Sequence, residues 1–329
     1  NILKGLWLFL DPRRFHKYPE WLVLEVGVGR EGDMRKTASW LFSDVVIITA
    51  IGETPAHIEF FSSRKNLIDE KTKLVKTLKN DGLLILNADD KDVLCMKSKT
   101  KNRAITYGFK EGADVLGSGD QILYDDKGIP EGVVFRMDEG GISLPVSIEG
   151  VFGRNHMYAS LASLALALGL KFNILSAIDA LKDYDVSPGR MRLLKGINNS
   201  MIMDDTYNSS PLSCASALKT LGKIKPAKEA SEIRKIAVLG DMLQLGKHTI
   251  PAHKSIGIIA KENCDVLMAV GQRAEAIKSG ALEAGMNPLN LFEFLDSRRV
   301  AEFLKTFTQK GDLTLIKGSQ SMRMERAVE

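Results

Sequence analysis

Cysteine is scarce and scattered. Cys95, Cys214 and Cys264 stand far apart with no Cys-x-x-Cys pair, which argues against a zinc cluster and a disulfide framework and fits a reducing compartment. Long apolar runs are missing too: the Ala/Leu-rich stretch at 161–170 is too short to span a bilayer. Charge of one sign is not in excess, since 45 Lys+Arg against 41 Asp+Glu leave a net +4. That balance is compatible with an anionic ligand without requiring one. No Gly-x-Gly-x-x-Gly follows a strand pattern in the C-terminal part, which speaks against a dehydrogenase. Repeats and low-complexity segments are absent. What remains, 44% hydrophobic and 26% charged over 329 residues, is ordinary globular composition with room for two cores.

The chain alternates strand and helix patterns. Trp21-Leu22-Val23-Leu24-Glu25-Val26-Gly27 reads as a buried strand ending in a carboxylate and glycines, and residues 45–49 as a second strand rich in β-branched side chains. Residues 35–42 suit a helix, and residues 65–78 another that stops at Asn80-Asp81-Gly82. Residues 83–87 form a third strand. This order predicts a mostly parallel α/β sheet. From residue 103 to 149, short alternating runs between Gly-rich turns predict antiparallel strands. Residues 155–170 and 174–181 read as helices, and Pro188-Gly189-Arg190 marks a boundary. Beyond it, residues 201–203, 236–239, 266–270, 291–294 and 313–316 predict strands, with helices at 212–221, 274–284 and 297–307. Residues 227–232 form a charged, solvated loop or helix end.

Several strand ends carry chemistry. Glu25 and His57, a carboxylate and an imidazole after adjacent strands, could share a divalent cation; each alone is as readily a surface residue. Asn87-Ala88-Asp89-Asp90 closes the third strand, where Asn and Asp also favour turns by themselves. Asn155 and His156 open the Ala-rich helix, with an N-cap role open to Asn155. Arg190 offers a fork suited to phosphate or carboxylate. Asp204-Asp205-Thr206-Tyr207-Asn208-Ser209-Ser210-Pro211 and Gly240-Asp241-Met242-Leu243-Gln244-Leu245-Gly246 each follow an apolar run and deliver a carboxylate at a strand's carboxyl end, the edge where open α/β sheets bind ligands. The first segment could equally be a turn that caps the following helix. Lys317-Gly318-Ser319 places a Gly-Ser turn between a strand and a helix, where backbone N–H groups can meet an anion.

These motifs together resemble the Mur ligases. The likeness implies a partial central ATPase domain over residues 1–190, a mostly parallel sheet with a small antiparallel portion, followed by a Rossmann-like C-terminal domain over residues 191–329. Glu25-Val26-Gly27 and His57-Ile58-Glu59 resemble the family's metal-binding patterns, so Glu25 and His57 are expected to hold Mg²⁺. Lys71 matches the lysine that many members carbamylate into a further metal ligand, with Lys73 close enough to compete and a solvated helix lysine as the plain alternative. His57, Lys71 and Arg190 form the implied catalytic set, with Arg190 on the phosphates. Asp205 is expected on the ATP ribose, with Tyr207 and Asn208 against the nucleotide and Asn155 or His156 near the adenine. The chain departs from the family pattern at Asn155-His156, where His-Asn is usual, at Ala159, at Ser210 for Asn, at Gln244 for Glu and at Gln320 for Arg. The Gly240-to-Gly246 motif resembles the branch that adds D-alanyl-D-alanine to UDP-N-acetylmuramoyl-tripeptide, which makes Lys317 and Ser319 candidate contacts to the dipeptide carboxylate. The implied setting is a cytoplasmic, monomeric ligase of peptidoglycan precursor synthesis that uses ATP and Mg²⁺, with no nucleic-acid partner and no membrane insertion. A folylpolyglutamate- or cyanophycin-synthetase-type ligase, or a non-catalytic relative that only binds nucleotide or partners, stays open beside it.

The family's phosphate cradle, Gly-x-x-Gly-Lys-Thr/Ser in type, does not occur. The Gly-Lys pairs, Gly222-Lys223 and Gly246-Lys247, have neither the glycine loop before nor Ser or Thr after. The chain opens on Asn1 rather than Met, and residues 2–10 read as the middle of an element, so a fragment of a longer ligase is expected. A loop that wraps backbone N–H groups and a lysine around the phosphates is needed to hold ATP for transfer. The purified chain is therefore expected to form little or no amide product with ATP and both substrates, as followed by chromatography; measurable ATP-dependent ligation would overturn this.

Overall fold

The computed structural model describes residues 19–55, 57–225 and 233–329. Two six-stranded sheets organise them. In the first, β1 (Ser43–Ile48), β2 (Leu78–Asn87), β3 (Arg103–Gly108) and the start of β4 (Val115–Tyr124) run parallel, and β4, β5 (Pro130–Glu139) and β6 (Ile142–Glu149) continue as an antiparallel meander in the order β1-β2-β3-β4-β5-β6. Strand alternation sends successive residues to opposite faces. Leu83 and Ile85 of β2 meet Leu161 and Ala165 of helix α4 (Arg154–Gly169), while Leu84 and Leu86 meet Leu67 and Val75 on the other side. A sheet covered on both faces explains the near-continuous apolar reading of these strands. Helices α1 (Asp33–Ala38), α2 (Arg64–Thr72), α3 (Lys91–Cys95) and α5 (Ile174–Ala180) complete this half.

Three expectations are corrected here. Residues 21–27 form no strand: Trp21, Leu22, Val23 and Leu24 are exposed, Val23 to 91%. A strand exists only through a ladder partner, and β1 remains the sheet's outer edge with nothing paired beyond it among the described residues. The stop at Asn80-Asp81-Gly82 does not end a helix but lies inside β2, where the register with β1 slips between Ser43 and Val45. Asn102 stabilises that irregularity by donating its side-chain amide to the carbonyls of Lys79, Asn80 and Gly82. Strand β3, placed by sequence in the antiparallel stretch, pairs parallel on both sides. The expectations for residues 2–10 and 227–232 lie outside the described residues.

The second sheet has the order β11-β10-β9-β12-β8-β7. Strands β8 (Met201–Asp205), β9 (Lys235–Gly240), β10 (Val266–Val270), β11 (Leu291–Phe294) and β12 (Leu313–Lys317) are parallel; β7 (Arg192–Lys195), which the sequence reading missed, adds an antiparallel edge. Helices α6 (Pro211–Lys223), α7 (Thr249–Asn263) and α8 (Ala274–Glu283) pack on one face against Ala237, Leu239, Leu267 and Leu315. Helix α9 (Ser297–Phe307) covers the other through Val300 and Leu304.

Helices α7 and α8 cross at two glycines. A Cβ on Gly257 would lie 1.9 Å from the Ile277 carbonyl oxygen, and one on Gly280 would lie 1.9 Å from that of Lys254. Backbone cannot yield there as a flexible side chain would. Gly257→Ala is expected to destabilise the protein by about 1–3 kcal/mol, the usual cost of overpacking, as read from urea unfolding; a change under about 0.5 kcal/mol would show that the helices can part freely.

Candidate functional site

The chain passes from β8 to β9, yet β12 is inserted between them. Such a reversal opens a crevice at the carboxyl ends of the strands, and here those ends carry Asp205, Lys317 and Gly240-Asp241.

The Asp204–Ser210 segment is held by its own side chains. Asp204 Oδ2 accepts the Gly189 N–H at 2.9 Å, and Oδ1 accepts the Thr206 hydroxyl at 2.7 Å and its N–H at 3.3 Å. The Tyr207 N–H returns to the Gly189 carbonyl at 3.1 Å. Position 189 accepts glycine alone, since φ is +76° and a Cβ would lie 2.7 Å from the Tyr207 nitrogen. The turn so fixed sets the Arg190 guanidinium 3.9 Å from the centre of the Tyr207 ring, a cation–π stack on an exposed face. Beneath it, His156 Nε2 lies 2.9 Å from the Arg190 carbonyl. A carbonyl can only accept, so this nitrogen carries the proton; burial holds the imidazole below its ordinary pKa.

Asp205 and Lys317 are both buried and bonded to each other, Nζ to Oδ2 at 2.6 Å, and Lys317 also donates to the Asn208 carbonyl at 2.7 Å. Burial raises the Asp205 carboxyl, opposed by Lys317 and then Arg190. The side chain of Asn208 accepts the Ser209 N–H. Ser210 caps α6 through a capping box with Ser213, followed by Pro211 at the first turn, so Ser suits this position as well as Asn would. Asn155 is exposed at the start of α4, whose N-cap is Gly153 and not Asn155.

The Gly240–Gly246 segment is similarly pinned. Asp241 accepts the N–H groups of Gln272 and Arg273 and one guanidinium nitrogen of Arg273 at 3.1 Å. His253, fully buried, accepts the Met242 N–H on Nε2 at 2.9 Å and donates from Nδ1 to the Thr249 carbonyl at 2.7 Å, and burial lowers its pKa. Ser319 accepts the Leu243 N–H at 2.9 Å on its hydroxyl and donates its own N–H to the Asp241 carbonyl. Ser319 and Lys317 thus both sit inside the fold with their polar groups engaged.

On the first sheet, Lys71 of α2 is half-buried, and burial lowers its basicity against the opposing pull of Asp90. Asp90, read from the sequence only as part of a strand-end turn, accepts the N–H groups of Ile51 and Gly52 with one oxygen and caps α3 with the other. Its position directly ahead of a helix was the available signal. Lys73 bonds Glu70 at 2.5 Å, and Glu70 in turn accepts the Met34 and Arg35 N–H groups. His57 has a left-handed φ of 67° and opens a short turn over Ile58–Phe60. Glu25 is exposed in the irregular segment. The His57 carbonyl accepts the Phe60 N–H at 3.0 Å, but neither the His57 imidazole nor the Glu25 carboxylate has a hydrogen-bond partner among the described residues, and no cluster of three His, Cys, Asp or Glu side chains there could hold a metal. Asn87 accepts the Asp89 N–H in a strand-end turn.

The two sheets bring these edges together. A Cβ on Gly246 would lie 3.0 Å from the Glu59 side chain, and one on Gly52 would lie 3.3 Å from Leu212 of α6. On the flank, Asp120 of β4 bonds Arg154 at 2.6 Å and reaches Lys223 of α6 at 2.9 Å, while the Tyr124 hydroxyl accepts the Lys225 N–H. Arg154 and Lys223 hold the Asp120 carboxyl down to about 2.

Two family models account for most of the sequence: the Mur ligase middle domain over residues 12–167, and the Mur ligase, glutamate ligase domain over residues 189–320. The chain belongs to the Mur ligase family. This Mur ligase chain is 27% identical over 313 residues to the UDP-N-acetylmuramoyl-tripeptide--D-alanyl-D-alanine ligase of Bacillus subtilis, covering 93% of itself and 63% of that protein. Its fold matches MurF from Acinetobacter baumannii with a TM-score of 0.77 at 23% identity (93% of this chain, 63% of that one). It also matches MurF ligase from Thermotoga maritima in complex with ADP, with a TM-score of 0.76 at 23% identity (91% and 64%). Among the described residues no helix is long and apolar enough to cross a membrane.

His253 generates a pH test. Its folded pKa lies below the ordinary value of 6.5, so above that value both states are neutral and folding bears no cost. As pH falls below it, the unfolded chain takes a proton that the folded one resists, and stability drops. The urea midpoint is expected to decline from about pH 7 to about pH 5, and His253→Gln to make that decline shallower; an unchanged slope would show that His253 does not contribute to it.

Proposed function

We propose that this chain is part of an ATP-dependent ligase that joins D-alanyl-D-alanine to UDP-N-acetylmuramoyl-tripeptide in peptidoglycan precursor synthesis. The observation that carries the reading is the meeting of two carboxyl edges. Asp205 and the Arg190–Tyr207 stack stand on one, and Lys71, Asp90 and the His57 turn stand on the other. The likeness to the D-alanyl-D-alanine ligases supports the substrate choice. The chain spans 63% of the length of that Bacillus subtilis relative, so the reading concerns the share of the site that these residues build.

In this reading Asp205 accepts a ribose hydroxyl, the exposed face of the Arg190–Tyr207 stack receives the nucleotide's anionic end, and Asn208 shapes the turn between them. The substrate carboxylate takes the γ-phosphoryl group to give an acyl phosphate and ADP. The amine of the dipeptide then attacks that carbonyl, the amide forms and phosphate leaves. Mg²⁺ needs only one or two protein ligands beside phosphate and water, and the Glu25 carboxylate and the His57 imidazole, which stacks on Phe60, are without hydrogen-bond partners among the described residues, so either would be available to hold the ion. When bound, the ion would offset phosphate charge. Lys71, made less basic by burial, keeps more free amine, the form that takes up CO₂ to become an anionic ligand.

Titration calorimetry with Mg·ATP tests the nucleotide half. Asp205→Ala is expected to weaken binding by about tenfold or more while leaving the folded state intact by circular dichroism. Equal affinity in the two proteins would remove Asp205 from the site, and no binding in either would mean that these residues do not hold nucleotide without a phosphate cradle.

A further inference from the structure

Lys317 has an unusual position for a residue meant to meet a substrate. It is 2% exposed, lies at the end of the central strand β12, and spends its ammonium on two acceptors of the neighbouring strand's loop: Asp205 Oδ2 and the Asn208 carbonyl oxygen, at 2.6 and 2.7 Å. These acceptors bracket Tyr207. The carboxylate's other oxygen has no protein partner among the described residues, and the Asp205 side chain keeps 10% of its surface exposed. One oxygen of Asp205 is therefore anchored and the other presented. Around the pair, Asp204 is spent on Gly189 and Thr206, and Arg190 lies over Tyr207. A buried lysine that bridges the carboxylate at the end of β8 and a carbonyl of the loop that follows is built to shape this loop.

We infer that Lys317 is a positioning residue for the nucleotide: it holds Asp205 and the Tyr207–Asn208 turn in the geometry that presents one carboxylate oxygen to a ribose hydroxyl. This rests on the nucleotide reading above. It takes Lys317 out of the set of direct contacts to the dipeptide, because an incoming carboxylate would have to displace Asp205 from a desolvated ion pair, and the Asp205 charge left behind would then be buried unpaired.

The test is a double-mutant cycle on ADP binding by the full chain, measured by calorimetry with wild type, Lys317→Met, Asp205→Asn and the double variant. Lys317→Met is expected to weaken ADP by about tenfold or more, Lys317→Arg to recover part of that loss, and Lys317→Met to add nothing in the Asp205→Asn background. Additive losses would mean that Lys317 touches the ligand itself and would overturn the inference. So would normal ADP binding by Lys317→Met combined with loss of D-alanyl-D-alanine binding. Should Lys317→Met not fold, Lys317→Gln takes its place in the same cycle, with ¹³C-carboxyl NMR following Asp205 in that variant and in wild type. Removing the ammonium should raise the pH at which that carboxyl titrates, and an unmoved titration would overturn the pairing. Absence of ADP binding in wild type would instead defeat the nucleotide reading, and this inference with it.

Discussion

A single carboxylate, Asp204, sets the geometry of the junction. By taking the Gly189 N–H on one oxygen and both Thr206 donors on the other, it ties the segment leaving the first sheet to the strand that begins the work of the second. The next residue, Asp205, turns to the opposite side by strand alternation and finds Lys317. The tether also sets the Arg190 guanidinium on Tyr207 and leaves the Arg190 carbonyl within reach of His156. Two adjacent aspartates thus divide the labour: the first is consumed by backbone, and the second keeps one oxygen free.

Parallel sheets make that division useful. The parallel strands of each sheet deliver their carboxyl ends to one edge, and the two edges approach each other at Gly246 and Glu59 and at Gly52 and Leu212. The loops stay ordered because each has an internal tie. Asp90 binds the loop after β1, Asp241 the loop after β10 and His253 the loop after β9. Buried polar groups of this kind are costly unless fully satisfied. Among the described residues only the Arg192 Nε and the Ser209 hydroxyl are buried without a partner.

The strands and helices of both sheets were largely legible, because apolar runs of strand length alternating with 3.6-residue periodicity have few other solutions. The candidate site was legible as positions: an Asp-Asp pair after residues 201–203 and a Gly-Asp after 236–239 had to stand at strand ends. What those residues touch was not. Lys317 and Asp205 are 112 positions apart, and no local pattern announces that one buries the other's charge. Residues 21–27 misled for a related reason. Their composition suits a strand, but a ladder is a property of two segments, and the second is not among the described residues. Strand β7 is short and its burial incomplete, so it leaves little alternation to read.

Among the described residues nothing pairs with the outer edge of β1, and an edge left in that state would give a molecule of modest net charge a colloidal character. Its outer N–H and C=O groups, without a strand partner among the described residues, follow closely on Trp40 and Phe42, 63% and 74% exposed, and Trp21 to Leu24 are also exposed. An open strand edge close to exposed aromatics is a template for any extended chain that drifts past, and at +4 there is little long-range repulsion to keep copies apart. Solubility, rather than thermodynamic stability, is the property that this surface governs.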